Sequence, residues 1–134
     1  MISYREFDSS LLESVKSIYE KEHWNAYLRD DEKLKRAFDN SLYVLGAFED
    51  DRLIGFVRCV GDGEHILLVQ DLIVEPEHQK QGIGSYLFKA VWEKYADVRM
   101  FQVVTDIEDQ VDNHFYQSFG MKKLEEGDMV SYFR

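Results

Sequence analysis

Asp71-Leu72-Ile73-Val74-Glu75-Pro76-Glu77-His78-Gln79-Lys80-Gln81-Gly82-Ile83-Gly84-Ser85-Tyr86-Leu87-Phe88 is the stretch on which the fold turns. The run from His65 to Val74 that leads into it is apolar with little alternation, which predicts a central strand buried on both faces. Pro76 ends that strand, because proline removes a ladder donor. A polar loop, Glu77 to Gln81, then reaches Gly82. From there Ile83, Leu87, Ala90, Val91 and Lys94 share one helical side, with Phe88, Trp92 and Tyr95 beside it. Strand, loop, Gly-x-Gly and helix start make a cradle for an anion: unpaired N–H groups and the positive end of the helix dipole meet a backbone with no Cβ. Lys80 can add a mobile positive charge. Taken alone, the turn fits equally well a plain strand-to-helix connection that needs glycine. No Gly-Lys-Ser/Thr follows, and the third glycine of a dinucleotide fingerprint would fall on Leu87, so a nucleotide-binding protein is disfavoured.

Outward from this stretch, Ile2 to Phe7 predicts a first strand. Ser10 and Glu13 have capping-box spacing at the head of a helix running to Lys21. Asp30 to Asp39 predicts a second helix. Ser41 to Phe48 and Arg52 to Val60 predict an antiparallel hairpin about Glu49-Asp50-Asp51, and Gly61-Asp62-Gly63 marks the next turn. Beyond the third helix, Arg99 to Thr105 reads as a strand. Asp109 to Phe119 reads as a helix stopped by Gly120. Lys122 to Arg134 is expected to form a short hairpin turning near Gly127-Asp128. The order predicts one α/β (α+β) domain over residues 1–134, built on a single mixed, mostly antiparallel sheet with helices on both faces.

Composition narrows the function. The chain has 134 residues, 45% of them hydrophobic, enough for a core without staples. A formal charge of −10 argues against nucleic-acid and anionic-membrane partners and favours a cationic one. No apolar run is long enough to span a bilayer. Met1 to Asp8 lacks the pattern of a signal peptide. Cys59 is the one cysteine, which suits a cytoplasmic location and predicts a small buried hydrophobe rather than a nucleophile. His23, His65, His78 and His114 lack metal-ligand spacing, so no metal is expected.

Gln79-Lys80-Gln81-Gly82-Ile83-Gly84 resembles the Gln/Arg-x-x-Gly-x-Gly/Ala signature of the GNAT N-acetyltransferase superfamily. The residues before it resemble that family's fourth strand, and those after it the start of its long third helix. The element order matches over nearly the whole chain. The resemblance implies acetyl-CoA as co-substrate, with no metal. Amides from Gln81 to Ser85 would hold its pyrophosphate, with Gln79 and Lys80 beside them. The backbone near Ile73 and Val74 would pair with the pantetheine arm, as in strand addition.

Asp109 to Met121 resembles the family's Asn-x-x-Ala-x-x-Phe-Tyr-x-x-x-Gly-Phe pattern at Phe115, Tyr116 and Gly120. Asp109, Asp112 and Met121 depart from it, and Asn113 stands near the position of a cofactor contact. The match implies Tyr116 as the group that protonates or hydrogen-bonds the leaving thiolate. Asp71, next to the thioester in this arrangement, is the first choice as the base that accepts the amine's proton, although many members have no assigned base. Trp24, Tyr27 and Phe38 would line an acceptor pocket or pack a helix. The implied function is direct transfer of an acetyl group to a primary amine of a small molecule or peptide. The alternative is an inactive CoA-binding or interaction module on the same fold. Final strands mediate homodimers in the family, and Met129, Val130, Tyr132 and Phe133 would form such an edge or lie in the core.

Overall fold

In the computed structural model, which describes residues 1–134, strands and helices follow in this order: β1 (Ile2–Glu6), α1 (Leu12–Lys21), α2 (Asp31–Asp39), β2 (Tyr43–Glu49), β3 (Arg52–Gly61), β4 (Ile66–Val74), α3 (Ile83–Lys94), β5 (Met100–Val103) and α4 (Gln110–Ser118). Single 3-10 turns lie at Ser9–Leu11, Asn25–Leu28, Pro76–His78 and Leu124–Gly127. The residues form two compact units, Met1–Val103 and Val104–Arg134.

The first unit is built on one five-stranded sheet in the order β1-β2-β3-β4-β5. Neighbours are antiparallel except β4 and β5, which run parallel. Parallel neighbours need a crossover, and α3 supplies it. On one face, Val15, Ile18 and Tyr19 of α1 and Leu34 and Phe38 of α2 pack with Phe48, Phe56 and Ile73 from the strands. Each such side chain contributes roughly 1.5–3 kcal/mol by leaving water. Strand alternation sends Val74 to the other face, where a Cβ on Gly84 of α3 would lie 3.9 Å from its Cγ2. Helices therefore cover both faces of this sheet, as expected. At Gly55 the backbones come too close for a side chain: a Cβ would lie 2.8 Å from the Ile73 carbonyl oxygen.

Two expectations are corrected. The first helix opens as a 3-10 turn because Asp8, rather than Ser10, is the cap; its carboxylate accepts from Ser10 N at 2.9 Å. The hairpin expected over Lys122 to Arg134 does not form. Leu124–Gly127 is a 3-10 turn, closed by Met129 N donating to Leu124 O at 3.0 Å, with Asp128 left-handed at φ 60°. Lys122, Lys123, Glu125 and Glu126 are poor strand formers, so the apolar end has no second strand to pair with. Val130, Tyr132 and Phe133 are exposed, forming neither a strand edge nor core. No helix of the chain is long and apolar enough to cross a membrane.

Candidate active site

The glycine turn is shaped for an anion by its backbone. Gly82 has φ 82° and is the N-cap of α3, with no side chain to cap it. Asp30 and Asp109 occupy the matching positions of α2 and α4 and accept from Lys33 N and Asp112 N, at 3.1 and 2.9 Å. Thus the leading amides of α3, on Ile83, Gly84 and Ser85, have no capping side chain, and they carry the positive end of the helix dipole. Lys80 is exposed and left-handed, at φ 65°, which is costly for a residue with a Cβ. A Cβ at Gly84 would meet nothing closer than 3.9 Å, so the fold does not require this glycine for its own packing.

The strand before the turn has an open edge. β4 pairs with β5 only from Ile66 to Val69, although it runs on to Val74. Along the rest of its length its one strand partner is β3, with Phe56 opposite Ile73 and Val57 opposite Leu72. Glu75 N donates to Ile54 O at 2.9 Å, which fixes the phase of the antiparallel ladder. By alternation the backbone groups of Ile73 point to β3, and those of Leu72 and Val74 point to the open edge. The backbone groups of Ile73, expected to pair with a ligand arm, are thus turned to β3, and the open edge is offered by Leu72 and Val74. Of the two groups on Val74, the carbonyl is already taken, by Gln79 Nε2 at 2.8 Å.

The same strand buries two carboxylates on its α1 face. Asp71 is 1% exposed, and its Oδ2 accepts from Tyr19 Oη and Arg58 Nε, each at 2.7 Å. Burial works against the Arg58 charge, but the Asp71 carboxylate more than offsets it and raises the guanidinium pKa. Arg58 also donates to Ser41 Oγ at 3.2 Å and lies 5.2 Å from the Phe38 ring centre. Burial first, then the Asp71 charge, drives the Tyr19 phenol far up, so it stays a donor. Asp71 is consequently shut away from solvent with its Oδ2 already engaged by two donors, which does not suit the base role expected of it. Glu75, also 1% exposed, is held by Lys21 Nζ at 3.0 Å and by Arg52 at 2.9 Å, with His78 Nδ1 at 2.8 Å. Burial opposes its charge, and the two cations outweigh burial, so its pKa is lowered.

In the second unit, α4 presents Tyr116 beside Phe115, with ring centres 5.2 Å apart. Burial, then the Asp112 and Asp109 carboxylates, raises the Tyr116 phenol well above its ordinary value. It therefore keeps its proton at neutral pH and can donate a hydrogen bond. Asn113, expected near a cofactor contact, braces the loop before α4: its Nδ2 donates to Asp106 O and Asp109 O, at 2.9 and 2.7 Å. Asp109, in the place of the family's asparagine, caps α4. Cys59 is fully buried, and burial pushes its thiol up to about 12, which leaves it unreactive.

Comparison with known proteins places the chain in a family. The model of the acetyltransferase (GNAT) family matches residues 9–121. The chain belongs to the GNAT acetyltransferase family. A GNAT-family acetyltransferase of Streptococcus pneumoniae TIGR4 superimposes with a TM-score of 0.86 at 33% identity, over 100% of this chain and 97% of the other. The PaiA N-acetyltransferase of Thermoplasma acidophilum, solved in complex with coenzyme A, has a TM-score of 0.71 at 22% identity, over 91% and 90% of the two chains. The uncharacterized ycf52-like N-acetyltransferase of Prochlorococcus marinus is 36% identical over 92 residues, which are 66% of this chain and 51% of that protein. The chain spans about half the length of the curated relatives it matches.

Sequence reading missed Arg58, Tyr19, Lys21 and Arg52 as partners of the buried carboxylates. One signal was present: an arginine inside the apolar run Leu53 to Val60 requires a buried acceptor.

Proposed function

We propose that the protein is an acetyl-CoA-dependent N-acetyltransferase that moves an acetyl group directly to a primary amine of a small molecule or peptide. The observation that carries this reading is the end of β5 at Val103, opposite Val69, which leaves β4 without a second strand from Gln70 to Val74, ahead of an uncapped α3 in a chain of the GNAT family. The coenzyme A bound by the PaiA relative supports the choice of co-substrate. The pyrophosphate would rest on the amides of Ile83, Gly84 and Ser85, with Gln81 and Lys80 at the rim. The arm would add to the β4 edge at Leu72 and Val74. The neutral amine nitrogen attacks the thioester carbonyl, the C–S bond breaks, and the proton that the nitrogen sheds leaves to solvent water. The thiolate is stabilised by the Tyr116 hydrogen bond or takes its proton, which solvent then returns to the phenol. Asp71 holds the strand in place and transfers no proton. The family match includes residues of both units.

The test is thiol release from acetyl-CoA across a panel of amines. Tyr116→Phe should lower kcat by about 10²-fold or more with CoA affinity unchanged. A wild-type protein that binds acetyl-CoA and releases no thiol with any amine would instead be an inactive binding module.

A further inference from the structure

Gln79 has an arrangement that a phosphate-facing residue would not need. Its side chain turns back into the loop. Nε2 donates one hydrogen to the Val74 carbonyl at 2.8 Å and the other to Glu22 Oε1. Both partners are acceptors, so the amide's orientation is fixed by the network, with Nε2 inward. Both of its donors are used, and neither is left for an anion. Val74 is the last residue of β4, and Glu22 is the C-cap of α1. One amide thus ties the strand end and the helix end to the first residue of the glycine turn. Lys21, next to Glu22, fastens the same loop from the other side through Glu75 and Glu77, at 3.0 and 3.2 Å. Immediately after Gln79 the chain enters the left-handed region at Lys80. A residue with a Cβ stays there only when its surroundings hold it.

We infer that Gln79 is a positioning residue, a latch that sets the glycine turn for the cofactor by fastening it to Val74 and Glu22, and does not itself bind phosphate. The latch also occupies the Val74 carbonyl, so a ligand arm on this edge finds the Val74 N–H without the competing acceptor beside it. This inference rests on the proposed function for its ligand but not for its geometry.

Two measurements test it. In the unliganded protein, Gln79→Ala should speed hydrogen exchange of the bonded amides on either side of the turn, Gln79 N on Pro76 O at 3.4 Å and Tyr86 N on Gly82 O at 3.0 Å, by about five-fold, the size set by losing about 1 kcal/mol with the two side-chain hydrogen bonds. Unchanged exchange overturns the latch, whether or not the protein binds CoA. In titrations with CoA, Gln79→Ala should raise Kd by about three- to ten-fold. Gln79→Arg should restore binding, because a guanidinium can reach both acceptors with added charge attraction to Glu22. Gln79→Glu, which offers no donor and repels Glu22, should bind at least as weakly as Gln79→Ala. Glu22→Ala should add little to Gln79→Ala when the two are combined. Full additivity, or wild-type binding by Gln79→Glu, overturns the inference. With an active wild type, kcat at saturating acetyl-CoA should hold while KM rises; a fall in kcat at unchanged KM overturns it. Failure of the wild type to bind CoA would reject the proposed function and leave the exchange result to decide the latch.

Discussion

The two sides of β4 solve different problems with different atoms. Toward α1, Asp71 and Glu75 are buried side chains, each held by cations at or below 3.0 Å. Toward the open edge and the glycine turn, the groups on offer are backbone amides, and side chains other than the Gln79 amide matter there through the φ they allow or the space they fill. The first side should be sensitive to the loss of any charged partner and indifferent to ligand. The second should tolerate many side chains and fail when a Cβ intrudes on the ligand's place.

The largest expected effect tests the buried side. Asp71→Ala leaves Arg58 charged and unpaired in the core, which costs about 3–5 kcal/mol. Urea unfolding should show an unfolding free energy lowered by that amount, with a correspondingly lower midpoint. The double replacement Asp71→Leu with Arg58→Met should recover much of the loss, because it removes both charges. If the single variant unfolds like the wild type, the pair does not hold the sheet together.

Next comes the contrast with Gly84. Gly84→Val should change unfolding free energy by less than about 1 kcal/mol, since its Cβ has room and valine is no worse than glycine within a helix. The same change should weaken CoA binding by about ten-fold or more, by excluding the ligand's closest approach to the amides. A variant that binds normally would remove Gly84 from the site. One that fails to fold would contradict the open space at that position.

The smallest effect concerns a turn far from ligand. Asp62 accepts from the amides of Glu64, His65 and Ile66, at 2.8, 2.8 and 3.0 Å. These bonds hold its carboxyl down at about 2, below its ordinary value of 3.8. A carboxylate with a depressed folded pKa adds stability that is full above the unfolded value and is lost as pH falls through the folded one. The loss should therefore fall between about pH 4 and pH 2. Asp62→Asn should shrink the difference in thermal midpoint across that window. Equal shrinkage with a distant exposed aspartate changed instead would show that the turn contributes nothing special.

Much of the sheet's positioning could be read locally. The apolar run before Pro76 gave β4 to within one residue at its start, His65 against Ile66. Gly82 marked the head of α3 because only a left-handed residue turns the chain there. What escaped reading depended on partners distant in sequence. Arg58 and Asp71 are thirteen apart and meet only through the β3–β4 register. The Gln79–Glu22 contact joins residues 57 apart. The end of the β4–β5 ladder at Val69 is likewise a property of two strands, invisible in either one. The same limit explains the failed hairpin: Val130, Tyr132 and Phe133 have strand-forming side chains, yet a strand exists only where another accepts it.

The unpartnered end of β4 also bears on how the protein must be handled. A strand with unpaired backbone groups on one side is a template for any extended chain, including that of a neighbouring molecule. A ligand arm lying along Leu72 and Val74 would block that template as well as stabilise the folded state by mass action. Colloidal behaviour should then follow occupancy: the empty protein should self-associate on concentration, and coenzyme A in the buffer should keep it dispersed.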